Sequence, residues 1–174
     1  MQRKPTKWFY ILIALLGSST PAFSAGTQTT HQASSTLYKE ECSSCHMAYP
    51  AQLLPARSWD KILSHLDQHF GDNASLDSAT LQQLRQYLQD NSADTIDSRR
   101  SRRLLRNIPM DSPPLRISEL PYIRRQHHEI PARYISGNPQ VKHLSNCIAC
   151  HQGAEQGSFS EHQVRIPGYG RWDD

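Results

Sequence analysis

Two copies of the pattern Cys-x-x-Cys-His constrain this chain more than any other feature. They read CSSCH at residues 42–46 and CIACH at residues 147–151, and together they use all four cysteines of the 174-residue chain. Cys-x-x-Cys-His is the attachment pattern of c-type haem. In a chain of this composition the expected number of accidental matches is only about 0.005, so two accidental copies are negligible.

The spacing within each motif suits two bonds to one porphyrin. Cysteines at positions i and i+3 project from the same side of a helical turn, so both sulfurs reach the two vinyl groups of a single haem. The histidine that follows is then held beneath the iron as its proximal ligand. The motifs predict two covalently bound haem c groups, with Cys42, Cys45 and His46 for the first and Cys147, Cys150 and His151 for the second.

Three other interpretations of the cysteines explain less. A zinc site of two cysteines and two histidines does not need both histidines directly after a cysteine. A thioredoxin-like dithiol needs a strand before its helix, which neither flank supplies. Two disulfides are the ordinary expectation for an exported chain with four cysteines. Haem attachment is the leading interpretation because it also accounts for the positions of the histidines.

The first 24 residues have the pattern of a secretory signal peptide. Three basic residues precede an apolar run at residues 8–16, and small residues follow at 22 and 24. We expect cleavage near Ser24 or Ala25 and a periplasmic location. A membrane anchor is the alternative, but the apolar run is short for a segment that spans a bilayer.

Removal of the leader changes the charge of the chain. Residues 1–24 contain three of the 19 basic residues and no acidic one, so 16 basic and 16 acidic residues remain and the formal charge falls from +3 to zero. Binding to nucleic acid therefore loses its electrostatic support. A local run of arginines at 99–106 remains, and it has three interpretations: a solvated face, a contact to haem propionates, or a contact to an acidic partner.

The pattern of the remaining chain predicts a mainly α protein with two small haem-binding domains. The flanks of the two motifs differ, so the chain is not an internal repeat. We expect an N-terminal haem domain at 25–98, a basic, proline-containing connection at 99–114 and a C-terminal haem domain at 115–174. Hydrophobic residues make up 37% of the chain and charged residues 20%, which excludes a polytopic membrane protein and argues against full disorder.

Three helices are predicted in the first unit, after a polar leader at 26–34. The first helix spans 36–46 and carries the first motif. The second begins with Ser58 as its N-cap, ends at Gly71 and has one apolar stripe, made of Trp59, Ile62, Leu63, Leu66 and Phe70. The third spans 77–91. His69 borders the apolar stripe of the second helix whereas His65 faces solvent, so His69 is the predicted distal ligand of the first haem.

The second unit is predicted to begin near Leu115 and to contain a helix that starts at Pro121. Its apolar face contains Ile123, His127, Ile130 and Tyr134. We therefore predict His127 as the distal ligand of the second haem, with the neighbouring His128 as the weaker alternative.

Other candidate ligands are less favoured. Met110 follows a proline, as the methionine ligand of many small cytochromes c does, but it lies beyond the helical pattern of the first unit. Met47 directly follows His46 and cannot reach the opposite face of the same haem. No ligand role is predicted for the remaining histidines, which are His31, His143 and His162.

Several segments resemble the periplasmic dihaem cytochromes c of the DHC family. They are LPARSW at 54–59, HFGDNA at 69–74, NCIACH at 146–151, GSFSE at 157–161 and RIP at 165–167. The resemblance implies two domains, each with one bis-histidine haem, of which the first is related to class I cytochromes c. It also implies the ligand pairs His46 with His69 and His151 with His127. Electron exchange with a membrane cytochrome or with a partner similar to the sphaeroides haem protein is the implied activity.

Coordination by two histidines predicts an electron carrier rather than an enzyme. Both axial positions of each iron are filled, so no position is left for a substrate. The expected partners are redox proteins, with no nucleic acid and no small-molecule substrate. Two alternatives remain: a permanent electron-transfer subunit of a larger periplasmic reductase, such as the small dihaem subunit of a nitrate reductase, and an enzyme or gas sensor with an open axial site.

Overall fold

The computed structural model describes residues 26–172. The predicted leader and its cleavage site lie outside these residues. The described chain is rich in helix and has few strands, which confirms the mainly α expectation. Its elements are α1 (Gly26–Cys42), α2 (Ala56–Leu63), α3 (Ser78–Asp90), α4 (Arg99–Leu105), α5 (Pro121–Gln126), β1 (Arg165–Ile166) and β2 (Gly170–Arg171).

Helix α3 forms as the sequence predicts. The side chain of Asp77 accepts hydrogen bonds from the backbone amides of Ala79 and Thr80, which satisfies two donors at the start of the helix. Leu84 and Leu88 are 0% and 1% exposed and pack in the core with residues of α1 and α2. The apolar spacing of this segment therefore identified both the helix and its buried face.

Helix α2 is shorter than predicted and begins earlier. Its N-cap is Pro55, whereas the predicted cap Ser58 is fully buried inside the helix, where its hydroxyl donates to the carbonyl oxygen of Pro114 at 2.8 Å. The helix ends at Leu63, and a separate 3-10 turn follows at Leu66–Gln68. Phe70 then has a φ of +55° and is 44% exposed, so it is not part of the apolar face that we predicted.

The first predicted helix also has different ends. Residues 26–34, which we expected to be a polar leader, belong to α1. This helix ends at Cys42 and not at residue 46, because Ser43 closes the last turn through its backbone and side-chain bonds to the carbonyl of Lys39. The turn that follows contains Cys45 and His46.

The basic connection at 99–114 is part of the packed structure. Ser98 caps α4 by accepting a hydrogen bond from the amide of Ser101. On the inner face of α4, Leu104 is 1% exposed and belongs to the same core as Leu84 and Leu120. The core therefore continues through the connection, and the domain boundaries at 98 and 114 stay predictions.

The C-terminal part consists mainly of short turns around a small separate cluster. Val141, Ala154, Val164 and Ile166 are each less than 9% exposed. Buried Asn138 orders this region, since its side-chain amide donates to the carbonyl of Pro167 at 2.9 Å. Strands β1 and β2 pair antiparallel, with Arg165 opposite Arg171.

Helix α5 ends at Gln126, which is well short of the predicted end at Tyr134. His127 is its C-cap residue, and Pro131 precedes a separate 3-10 turn at Ala132–Tyr134. A six-residue helix is enough to place His127, but the periodic pattern beyond it does not correspond to one helix. Within residues 26–172, no helix is both long and apolar enough to cross a membrane.

Replacement of Leu84 by Ala tests the core. We expect the variant to lower the free energy of unfolding by about 2–5 kcal/mol, because a fully buried leucine leaves a cavity that the packed helices cannot fill. Denaturant unfolding measures this change. The exposed neighbour Gln83 supplies the control, and Gln83→Ala is expected to change the value by less than about 0.5 kcal/mol.

Candidate functional site

The first motif lies at the C-terminal end of α1. Cys42 is the last residue of the helix, whereas Cys45 and His46 lie in the following turn. Both thiols are free. Burial, and secondarily the charge of Glu41, raise the pKa of Cys42 to about 11, so this thiol is protonated at neutral pH.

His46 has one ring nitrogen fixed by the backbone. Its Nδ1 lies 2.7 Å from the carbonyl oxygen of Met47 and donates to it. A neutral imidazole that donates through Nδ1 carries its lone pair on Nε2, which is the arrangement of a metal-binding histidine with a supporting hydrogen bond.

The structure brings His69 to face His46. The two ring centroids are 6.2 Å apart, and the ring planes differ by 26°. Two imidazoles on opposite sides of one metal have centroids about 6.3 Å apart, since each metal–nitrogen bond is about 2.0–2.1 Å and each centroid lies about 1.1 Å further. The pair therefore fits a six-coordinate iron between its rings.

His69 reaches this position from a tight turn and not from the predicted helix. It follows the 3-10 turn at Leu66–Gln68, and its carbonyl oxygen accepts the amide of Asp72 at 3.1 Å. Burial lowers the pKa of His69, and the nearby His46 and Arg116 lower it further. These effects favour the neutral imidazole, which is the form that binds a metal.

The second motif has the same kind of partner. The ring centroids of His127 and His151 are 6.1 Å apart, with ring planes at 73°. The Nδ1 of His127 donates to the carbonyl oxygen of Ile123 at 2.8 Å, an arrangement that leaves Nε2 as the nitrogen available to a metal. Burial lowers the pKa of His151, and His127 adds to this effect. This pair, too, has the spacing of two ligands on one iron.

One nitrogen of His151 requires a partner that the protein does not supply. Its Nδ1 is buried and has no hydrogen bond with any described residue. Leaving such a group unpaired costs about 1–3 kcal/mol, so a buried orphan of this kind is typical of a ring that contacts a bound group. Cys147 and Cys150 lie in the same short turn with free thiols, and burial raises the pKa of both.

The structure does not bring the weaker candidates to either pair. His128 is exposed, with its Nδ1 bonded to the carbonyl of Arg125 and its Nε2 3.6 Å from Glu129. Met110 is 74% exposed and Met47 is buried in the interior. The remaining histidines with described side chains are all exposed, namely His65, His143 and His162. His31 lies in α1, and its side chain is outside the described part.

The described residues do not form a zinc site or a disulfide. All four cysteines are free, and no group of three or more His, Cys, Asp or Glu side chains within the described part is placed to hold a metal ion. The donor set at each site is therefore two facing histidines beside two unpaired thiols. That set matches haem c and does not match tetrahedral zinc.

Two phenylalanines support the histidine pairs, although the sequence pattern placed Phe70 in a helix stripe and predicted neither ring beside a histidine. Phe70 lies edge-on to His69 with centroids 4.8 Å apart, and the guanidinium of Arg116 covers its ring at 4.1 Å. Phe159 lies against His151 at 5.4 Å. The adjacency of Phe70 to His69 in the sequence was a usable signal, whereas Arg116 is brought in by tertiary folding alone.

Tyr49 joins the two motif segments. Its ring lies 5.0 Å from the ring of His46, and its hydroxyl donates to the carbonyl oxygen of Ser145 at 2.8 Å. The hydroxyl of buried Tyr38 donates in turn to the carbonyl of Tyr49 at 2.6 Å. A chain of hydrogen bonds thus links the core, the first motif and the start of the second.

An open groove of about 800 Å³ lies between the two sites. Phe70 lines it on the side of the first pair and Leu144 on the side of the second motif. Arg116, Arg124 and Glu119 also line it, which gives the groove a net positive charge suited to carboxylates.

Comparison with known proteins agrees with this chemistry. A family model described as dihaem cytochrome c matches residues 38–159. The chain is 41% identical to the solved dihaem cytochrome c from Shewanella baltica, with a TM-score of 0.67 over 80% of this chain and 98% of that one. It is 47% identical to a dihaem cytochrome c from Rhodobacter sphaeroides, with a TM-score of 0.64 over 71% of this chain and 95% of that one. A comparison with curated proteins gave no significant match.

Replacement of Tyr49 by Phe tests the link between the motif segments. The variant keeps the ring but loses the hydrogen bond to Ser145, so we expect the free energy of unfolding to fall by about 0.5–1.5 kcal/mol. Denaturant titration of the purified protein measures the difference. Tyr122→Phe is the matched control, because the Tyr122 hydroxyl has no hydrogen bond with a described residue. An equal loss in both variants would contradict a specific link.

Proposed function

The chain belongs to the dihaem cytochrome c family, and we propose from that membership that it carries electrons in the periplasm through two bis-histidine haems. The family is a class of electron carriers with two haem c groups, so a haem-based role in electron transfer follows directly. The ligand set, the covalent attachment, the location and the partners are the proposed parts.

The spacing of the two histidine pairs carries the proposal. Centroid distances of 6.2 Å for His46 with His69 and 6.1 Å for His127 with His151 both suit two axial bonds to one iron. A bound haem iron supplies one-electron exchange between Fe(III) and Fe(II). If both rings of each pair held the iron, they would exclude substrate and water from the metal, and electrons would pass through the exposed edge of the haem.

The free thiols supply covalent attachment. Cys42 and Cys45 take the first haem, and Cys147 and Cys150 take the second. Two thioethers and one adjacent histidine attach each haem to a short segment of chain. The proximal ring is therefore close to its metal independently of the tertiary fold. The distal rings depend on the fold, since His69 and His127 are distant in sequence from their motifs.

The two sites suggest two haem-binding units. We assign residues 25–98, with the packed helices α1, α2 and α3, to a unit similar to class I cytochromes c. Residues 115–174 form the second unit, which is short and rich in turns. The segment 99–114 connects them. The proposed location rests on the leader sequence, from which the mature chain begins near Ala25.

Mass and haem content of the exported protein test the cofactors. We expect a chain that begins near Ala25 and carries two haems, both resistant to extraction with acid acetone because each is bound by two thioethers. A pyridine haemochrome assay and intact-mass measurement give both numbers. Any other stoichiometry, or extractable haem, would show that the attachment is wrong. Elution of the native protein as a salt-resistant complex with a large catalytic subunit would favour the subunit alternative over a free carrier.

Replacement of the distal histidines tests the ligands. His69→Ala and His127→Ala are each expected to make one of the two haems high-spin and able to bind CO, because each removes one axial nitrogen. The wild type should not bind CO. Absorption spectra of the reduced protein with and without CO measure the change.

The neighbouring histidines serve as matched controls. His65→Ala and His128→Ala should leave both haems low-spin, since both side chains are exposed and bond to carbonyls of their own segments. CO binding in the His128 variant, with none in the His127 variant, would transfer the ligand role to His128.

A further inference from the structure

Helix α4 and its flanks carry a dense positive charge that the sites described above do not use. Residues 97–106 contain five arginines and one aspartate. Arg102 pairs with Asp97, and Arg100 bonds to the backbone of Gly157. The other three arginines, Arg99, Arg103 and Arg106, are exposed and have no hydrogen bond or ion pair with any residue of the described part. We call these three side chains the arginine face.

The arginine face does not stabilise the helix. Arg99 and Arg103 are four residues apart on α4, so these like charges are neighbours on one surface, at a cost of about 0.2–0.5 kcal/mol, while Arg106 is the C-cap residue after the last turn. The inner face, with Leu104 and Ser101, supplies the packing and the cap. The charge therefore costs a little stability, and its use must be sought outside the helix.

Helix α4, which carries the arginine face, contacts the segment beside the second histidine pair. Arg100, on the same helix, donates to the carbonyl oxygen of Gly157 at 3.0 Å, and its guanidinium lies 5.8 Å from the centre of the Phe159 ring. The Phe159 ring in turn packs against His151 at 5.4 Å. Two contacts thus connect α4 to the proximal side of the second site, and a protein bound at α4 is placed next to that site.

We propose that the arginine face is the docking surface for an acidic redox protein that exchanges one electron with the second haem. The inference rests on the proposed electron-carrier function. Unpaired positive charge attracts a surface rich in Asp and Glu and orients it before contact. A small, charged contact of this kind also releases quickly, as a carrier requires between turnovers. The same positive charge would also attract a nucleic acid. A nucleic acid has no redox centre, however, so it could not exchange an electron with the haem.

Two redox probes of opposite charge test the surface in the haem-loaded protein. The hydroquinone form of an acidic flavodoxin gives one electron to the oxidised cytochrome and becomes the semiquinone, while Fe(III) becomes Fe(II). Hexaammineruthenium(III), a small cation, takes one electron from the reduced cytochrome and becomes the ruthenium(II) complex. Stopped-flow absorption at the haem bands measures both bimolecular rates at low and high ionic strength.

The test variant is the triple substitution Arg99→Gln, Arg103→Gln and Arg106→Gln. We expect its rate with flavodoxin to fall by roughly three- to tenfold at low ionic strength and to approach that of wild type at high salt. Its rate with the ruthenium cation should be unchanged or higher, because a repulsive charge has been removed. Glutamine has nearly the helix propensity of arginine, so the thermal midpoint should equal or exceed that of wild type.

A second triple variant controls for net charge. Lys39→Gln, Lys61→Gln and Lys142→Gln removes the same charge from exposed positions on other parts of the surface. Equal slowing with flavodoxin in both triple variants would overturn a localised surface, as would no slowing in the arginine variant. A drop in the reduction potential of one haem that accounts for the slower rate would assign the arginines to the propionates and also overturn the proposal. Failure of the carrier function itself would show separately, as CO binding by the wild type.

Discussion

Both sites depend on two imidazole rings that are held about 6 Å apart, a spacing that would suit one metal ion between them. The rings are 6.2 and 6.1 Å apart, and further contacts orient them. The two pairs are oriented by the same two kinds of contact. In each, one ring donates to a backbone carbonyl, as in His46 and His127, while the other lies against a phenylalanine. The fold is arranged around these supports.

The parts of the structure that could be predicted are those fixed by short-range sequence. The motifs identify the thiols and proximal rings, and the spacing of Leu84 and Leu88 identifies α3 and its buried face. The course of the chain around His69 could not be predicted, because the apolar pattern from Trp59 continues through a helix end into a 3-10 turn. Leu66 still packs on the core there, so burial persists while the helix does not. Periodicity detects burial, and it implies helix only where the backbone stays regular.

The sequence pattern could not predict contacts between segments that are far apart along the chain. The hydroxyl of Ser58 bonds to Pro114, and that of Tyr49 to Ser145, across 56 and 96 residues respectively. Serine and tyrosine at these positions look like an ordinary helix cap and an ordinary loop residue. Their hydrogen bonds nevertheless fix the second half of the chain against the first. These polar contacts therefore help to set the relation of the two sites.

The positions of the two predicted distal histidines depend on packing, which matters for electron transfer. His69 leaves a tight turn and His127 ends a six-residue helix, so neither has a long regular element behind it. Isolated elements of that length are unstable in water, and their positions come from packing. On the proposed bis-histidine ligation, packing of this kind would hold both rings in place while the oxidation state of the iron changed. On the same proposal, the rate would be governed by how partners approach the surface, where the exposed arginines of α4 would attract an acidic protein.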